Sequence, residues 1–333
     1  MSAVLGIDVD SKKLVTCIVV DKKKSNAVWR DFENKESDFP NILEYLKKNK
    51  ISRVIMEATG GYEQKIFHFL WLKSFDVHVV KPNQGRDFAK AMNILAKNDK
   101  IDAFVLGRLG QVADLPTPIK ANETQLKIKP LVMRRSQLKE IITQERNRLH
   151  IANESTKEDI NGHIQFLNER VSELETRVEN HIKSDPQLKK MQQVIIKTIG
   201  YAEVTAAVIL GLLPEIGRLS NKAVAGLAGL APMDDDSGNR KGKRFIKGGR
   251  WHLRKALYMP AYSSIRHDPV INAFHKRLIE NGKPKKVATV AVMRKVLVRT
   301  NAIVRNYLKA EQEKYEDNAR QDEIYFNKNK KSA

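Results

Sequence analysis

Short apolar runs separated by turn residues open the chain. Val4–Val9 and Leu14–Val20 are rich in β-branched residues and flank the polar turn Asp10–Lys13, so they predict two strands joined by a turn. Ala27–Phe32 is a third candidate and completes a meander. Phe39, Ile42, Leu43, Tyr45 and Leu46 then recur at the spacing of an amphipathic helix. Arg53–Glu57 reads as a buried strand and Ala58-Thr59-Gly60-Gly61 as a flexible link. Ile66–Leu72 reads as a helix, and Asp76–Val80 as a strand stopped by Pro82. Helices follow to about residue 112. The predicted order βββ-α-β-α-β-α makes residues 1–120 an α/β domain, a mixed sheet with helices packed on it.

The period then changes. Residues 113–122 contain two prolines and read as a linker, and a long helical pattern runs from about 123 to 183. Within it Ile160, Ile164, Leu167, Val171, Leu174, Val178 and His181 alternate spacings of four and three, a heptad seam flanked by Glu and Arg. Such a seam serves either a hairpin packed on its own domain or a coiled coil between copies. Residues 121–190 are therefore read as a helical, coiled-coil segment. Residues 191–310 are read as a mainly α C-terminal domain punctuated by glycines, with a long amphipathic helix at Val287–Leu308. Residues 311–333 are charged and low in aliphatics, so they are expected to be a frayed tail.

Composition narrows the function. With 41% hydrophobic residues the 333-residue chain has material for packed cores. Its 60 Lys and Arg outnumber 39 Asp and Glu, a formal charge of +21 that points to a polyanionic partner, most simply nucleic acid. One cysteine, Cys17, excludes an internal disulfide framework and a Cys-rich zinc site. The eight histidines lack H-E-x-x-H-type spacing. Residues 4–9 are too short for a signal peptide, and the longest apolar stretches, such as 202–213, fall short of the ~20 residues of a membrane span. A cytoplasmic protein is expected.

Against the basic background, four carboxylates stand out. Asp8 lies inside the first strand, in GIDVD. Glu57 ends the fourth, in VIMEATGGY. Asp99 and Asp102, in KNDKIDA, are three apart on one helix face, with Lys97 and Lys100 as candidate phosphate contacts beside them. Carboxylates in apolar runs are costly unless paired or bound to metal. Four that converge repel one another, and a hard divalent cation such as Mg²⁺ relieves that repulsion. Structural roles compete with this reading: Asp8 as a turn residue, Glu57 as a helix cap, Asp99 as an N-cap with Asp102 favoured by the helix dipole.

Residues 234–255, DDDSGNRKGKRFIKGGRWHLRK, form a second constellation. After Ser237-Gly238 they hold Arg240, Lys241, Lys243, Arg244, Lys247, Arg250, Arg254 and Lys255, with three further glycines and no acid. Glycine admits close approach of a backbone and the cations neutralise phosphate, so this reads as a nucleic-acid-contacting segment rather than a merely solvated loop. Ser237 is a candidate nucleophile, although serine before glycine is also common in turns. In a third stretch, KTIGYAEVTAAVILGLL at 197–213, a helix, a glycine turn and an apolar helix resemble a helix-hairpin-helix DNA contact. A packed helical pair explains it equally well.

Taken together, GIDVD, VIMEATGGY, VVKPNQ and KNDKIDA resemble the N-terminal DEDD, RuvC-like domain of insertion-sequence-110 family transposases. TIGYAEVTAAVIL, LAGLAP and SGNRKGKRFIKGGRWHLRKALY resemble their C-terminal domain. The resemblance implies an RNase H-like first domain. It carries the acidic tetrad onto Asp8, Glu57, Asp99 and Asp102 with Mg²⁺, two ions per site, between them, and the nucleophile onto Ser237. It further implies a homo-oligomer, dimer or tetramer, with active sites assembled across subunits. A structured noncoding RNA pairs with target and donor double-stranded DNA, and strands are exchanged through a serine–DNA linkage. Two positions depart from the family pattern: Asn98 replaces its usual threonine, and Asp234, Asp235 and Asp236 place negative charge before Ser237. The residues by themselves leave two further readings: a structure-selective endonuclease using water, and a catalytically inactive nucleic-acid-binding protein.

Overall fold

A computed structural model describes residues 3–21, 23–115, 122–237, 242 and 244–330, with the side chains of residues 24 and 318–330 left out. It divides into two compact units, Met1–Pro118 and Ile119–Ala333.

In the first unit the meander forms as expected, from β1 (Val4–Val9), β2 (Lys13–Val19) and β3 (Val28–Glu33). Two strands parallel to β1 follow, β4 (Arg53–Glu57) and β5 (Asp76–Val80), giving the order β3-β2-β1-β4-β5. The helices are α1 (Phe39–Lys48), α2 (Gln64–Leu72), α3 (Pro82–Ala91) and α4 (Asp99–Val112). Strand alternation sorts them onto two faces. Leu5, Ile7, Val54 and Met56 pack on Phe39, Ile42 and Leu46 of α1 and on Ile66 and Leu70 of α2. The other face meets α4: Val4 and Ile55 pack on Leu106 and Leu109, and Val15, Cys17 and Val19 on Ala103 and Phe104.

On that second face, helix backbone rests directly on strand backbone. A Cβ on Gly6 would lie 2.0 Å from the Ala103 carbonyl oxygen and 2.4 Å from the Gly107 nitrogen. One on Gly110 would lie 2.4 Å from Ile55 Cγ1. These glycines serve close approach, not unusual backbone angles. The Trp29 indole nitrogen on β3 donates to the Lys100 carbonyl at 3.0 Å, pinning the start of α4 over the sheet.

The second unit holds α5 (Glu123–Ile151), α6 (Glu154–Lys183), α7 (Pro186–Ile196), α8 (Glu203–Leu212) and α9 (Asn221–Leu227). A two-stranded ribbon follows, β6 (Pro232–Met233) with β7 (Phe245–Ile246), and then α10 (Trp251–Ala256), α11 (Tyr258–His267), α12 (Pro269–Glu280) and α13 (Lys285–Lys330). The heptad seam is used within the chain: Leu167, Val171 and Leu174 of α6 pack on Leu138 and Ile142 of α5. The seam therefore makes no demand for a second copy. At its base, Ile128 and Val132 of α5 join the core formed around α8. The helical segment expected at 121–190 thus shares a core with the C-terminal domain.

Of the two readings of 197–213, the packed pair is the better supported. The glycine turn of KTIGYAEVT packs against α11, where a Cβ on Gly200 would lie 2.4 Å from Ser264 Oγ and 2.6 Å from the Pro260 carbonyl oxygen. Residues Thr205–Leu212 of α8 are buried, which favours the packed pair, while residues 199 and 202–204 at the turn are exposed. The charged stretch after residue 310 continues α13, which runs to Lys330.

Replacing Gly6 with alanine should cost about 3 kcal/mol, the upper part of the range for overpacking, because the added methyl meets backbone that cannot rotate away. A urea titration of the first unit's transition checks this; a loss below about 0.5 kcal/mol, the range of a neutral surface change, would show that α4 is free to shift.

Candidate active site

The same packing assembles the acidic site. Asp8 lies two residues beyond Gly6, and Glu57 two beyond Ile55, so strand alternation turns both toward α4. The parallel register pairs Ile7 with Met56, which sets the two carboxylates side by side at the ends of neighbouring strands. Asp102 precedes Ala103, the residue in contact with Gly6. Asp8, Glu57 and Asp102 are half-buried, while Asp99, at the first position of α4, is exposed.

Asn98 is the N-cap of α4, its side-chain oxygen accepting the Ile101 amide at 2.9 Å. Asn and Thr are both good N-caps, so this departure from the family pattern preserves the local fold and leaves Asp99 free of the capping role. Glu57 caps no helix either. Glu63 does the local work: its Oε2 accepts from the Gly61 amide at 2.9 Å and from the Thr59 amide and hydroxyl at 3.1 Å. That shapes the loop leaving Glu57, in which Gly60 and Gly61 have positive φ.

None of the four tetrad carboxylates makes a hydrogen bond or ion pair with the described residues. Burial, then the charges of Asp102, Asp99 and Glu57, push the Asp8 carboxyl up to about 6. Burial, then Asp102, raises Glu57. Burial also raises Asp102, although Lys97 and Arg86 pull it back. Lys97 opposes the rise at all three, so of the two flanking lysines it is the one whose field covers the site. Arg86, which carried no signal in the sequence, stands on α3 beside this cluster. Its Nη2 donates to the Leu95 carbonyl at 3.1 Å and its buried Nη1 meets no partner.

Among the described residues no three carboxylate, imidazole or thiolate groups form a ready-made metal cage. What the fold builds is an oxygen-only, partnerless set of mutually repelling carboxylates. That donor set fits Mg²⁺, which keeps several waters and is commonly held through one or two carboxylates rather than a closed protein cage.

In the second unit, Ser237 is exposed and its hydroxyl meets no partner among the described residues. The stretch 234–244 that carries it is closed by the pairing of Met233 with Phe245 and by an ion pair from Arg244 Nε to Asp234 at 2.6 Å. Asp236 accepts the Gly242 amide at 3.1 Å. Two of the three aspartates are thereby engaged. Arg240, Lys241 and Lys243 lie outside the described residues. Arg250 is a structural cation, binding Glu215 through two bonds of 2.6 Å and the Leu212 carbonyl at 2.8 Å. Arg254 ties the carbonyls of Gly229 and Gly248, both at 3.1 Å. Lys247 is exposed and makes no ion pair among the described residues. His252 Nδ1 is 3.2 Å from Ser136 Oγ.

Residues 5–152 match a family model described as a transposase, and residues 192–276 match the model of the IS116/IS110/IS902 transposases. The protein is a transposase, an enzyme class that acts on DNA. It belongs to the IS116/IS110/IS902 family, whose two models between them span well over half of the chain. Pilin gene-inverting proteins of Moraxella lacunata and Moraxella bovis are each 27% identical over 309 residues, covering 90% of this chain and 95% of theirs. Among solved structures, T. thermophilus RuvC in complex with a Holliday junction substrate aligns at a TM-score of 0.26 and 11% identity. It covers 32% of this chain and 90% of RuvC. A second Thermus thermophilus RuvC structure aligns at the same TM-score with 13% identity. In the described residues no helix is long and apolar enough to cross a membrane.

The carboxylates make a pH prediction. Between the ordinary 3.8 of an aspartate and the folded value of about 6 for Asp8, the folded chain binds more protons than the unfolded one. Stability of the first unit therefore falls as pH rises through that window in EDTA. Asp8 contributes on the order of 1 kcal/mol after allowance for its partial exposure. Mg²⁺ should recover the loss at neutral pH and do little near pH 4, and Asp8→Asn should flatten both effects. Differential scanning fluorimetry across pH, with and without Mg²⁺, measures this; identical curves in the two buffers would remove the metal from the site.

Proposed function

We propose that this transposase is an RNA-guided DNA recombinase, with an RNase H-like acidic site at Asp8, Glu57, Asp99 and Asp102 and a serine nucleophile at Ser237. The observation that carries the reading is the partnerless carboxylate set: three half-buried acids, from two strands and a helix, kept together in a protein of net charge +21. Isolated buried acids are selected against unless they bind something. Bound Mg²⁺, two ions in this reading, supplies charge to the scissile phosphate and lowers the pKa of the attacking hydroxyl.

The chain's own groups do the rest. Asp8, Glu57 and Asp102, ionised at neutral pH once a cation offsets their repulsion, would hold that cation where the scissile phosphate approaches; Asp99 adds negative charge at the rim. Ser237 Oγ bonds to phosphorus as the bond from phosphorus to the leaving DNA oxygen breaks. The hydroxyl proton leaves to solvent and the departing oxygen takes one up. The reverse attack, by a DNA hydroxyl from the second duplex, frees the serine and completes exchange. Lys97 and Lys247 meet backbone phosphates, and Arg244 joins them when its exposed pair with Asp234 opens, an exchange that costs little at a surface. Arg240, Lys241 and Lys243 act with them in this reading, while Arg250 and Arg254 hold the segment in shape. Pairing by a structured guide RNA carries sequence choice, so the protein reads shape and backbone. The active sites are completed in a homo-oligomer.

Two outcomes are expected. A nicked DNA substrate run on a denaturing gel should show a protein–DNA adduct that disappears in Ser237→Ala; cleavage persisting unchanged in that variant would mean that water is the nucleophile. RNA copurified with the protein should be dominated by a transcript of the noncoding sequence flanking its gene, with segments matching both DNA partners. A random RNA population would refute guidance.

A further inference from the structure

One face of α10 and α11 has a composition that the acidic site and the serine segment leave unused. The helical path is nearly continuous, because Leu257 between them is itself helical. Trp251, Lys255, Tyr258, Tyr262 and Arg266 follow one another at spacings of four, three, four and four, which keeps them on one side. Trp251 is 48% exposed, Tyr262 44% and the neighbouring Met259 70%. The Lys255 ammonium sits 5.0 Å from the Trp251 ring centroid, and the Tyr258 and Tyr262 rings are 5.3 Å apart, edge to face. Beside Tyr262 lies a groove of about 460 Å³, lined by Met259, Tyr262, Ser263, Arg266, His267 and Asn272. That is within the size range of small-ligand sites and roomy for a nucleobase.

The surrounding charge selects the occupant. From Ser237 to Ala310 the chain contains two acids, Asp268 and Glu280. Asp268 is buried, caps α12 and is neutralised by Arg299 at 2.8 Å. Lys255 is held by Glu140 at 2.9 Å, whereas Arg266 is exposed without an ion pair among the described residues. The charge of Lys285 reaches the Tyr262 hydroxyl. Exposed aromatic faces in an acid-poor basic field suit a polyanion that also offers π faces. A duplex hides its base faces and shows only phosphates and groove edges, so an unpaired strand is the better match.

We propose that Trp251, Tyr258 and Tyr262, with the adjoining groove, form a stacking site for unpaired nucleotides of a DNA strand, whose phosphates are met by Arg266 and Lys285. The site rests on the recombinase reading only for the source of the strand, which is single-stranded when cut ends change partners. Binding is measured on the full chain in EDTA, by anisotropy of a dye-labelled thymidine oligonucleotide, a hairpin duplex and a uridine oligonucleotide. Tyr262→Ala should weaken the thymidine strand on the order of tenfold, the effect of one lost base–aromatic stack, with less than about twofold change for the duplex. Tyr262→Phe should bind as the parent does. Quenching of Trp emission by the thymidine strand, lost in Trp251→Leu, reads the site independently of any folding defect at Tyr262. The proposal is overturned if duplex and single strand weaken equally, if no quenching occurs, or if the uridine strand binds more tightly and depends more on Tyr262. Because no cleavage is involved, failure of the serine or metal chemistry leaves these readouts intact, and their failure leaves that chemistry standing.

Discussion

The backbone-to-backbone seating of α4 on β1 is the constraint on which the first unit depends. Most helices pack on sheets through a layer of side chains about 10 Å deep. Here Gly6 removes that layer, and Gly107 and Gly110 remove it on the helix side. Asp8 and Asp102 are each within two residues of this contact, so their separation is set by backbone rather than by flexible side chains. The parallel register of β1 and β4 does the same for Glu57. A site held in this way keeps its geometry when its own charges oppose it.

Those charges do oppose it. Every carboxylate of the inner three is raised by burial, and each feels its neighbours. Lys97 and Arg86 reduce the repulsion but make no ion pair with the acids, so the carboxylates stay unpaired. The fold accepts some lost stability to keep them together.

In the second unit much of the apolar patterning is used within the chain. The heptad seam packs on α5, the glycine turn at Gly200 packs on α11, and Thr205–Leu212 of α8 are core. Basic residues there divide into two kinds that look alike in sequence. Arg250 and Arg254 are committed to Glu215 and to backbone carbonyls, while Lys247 and Arg266 stand open.

The order of strands and helices in residues 1–112 was legible from apolar period and turn chemistry, because the central strands are short apolar runs buried on both faces and α1 carries one apolar face. The three acids that the fold brings together, Asp8, Glu57 and Asp102, were conspicuous because each stands in or beside an apolar run. Charge and motif order pointed to nucleic acid and to the family. That the α6 seam packs on α5 and that Gly200 packs on α11 depended on long-range packing, which local period does not encode. Arg86, Glu63 and the cap at Asn98 were silent in sequence for the same reason: their roles lie in what they touch. The sequence alone determined which residues were chemically capable. The tertiary structure decided which of them remain unpaired, because only the folded chain shows which charges have already been answered by a neighbour.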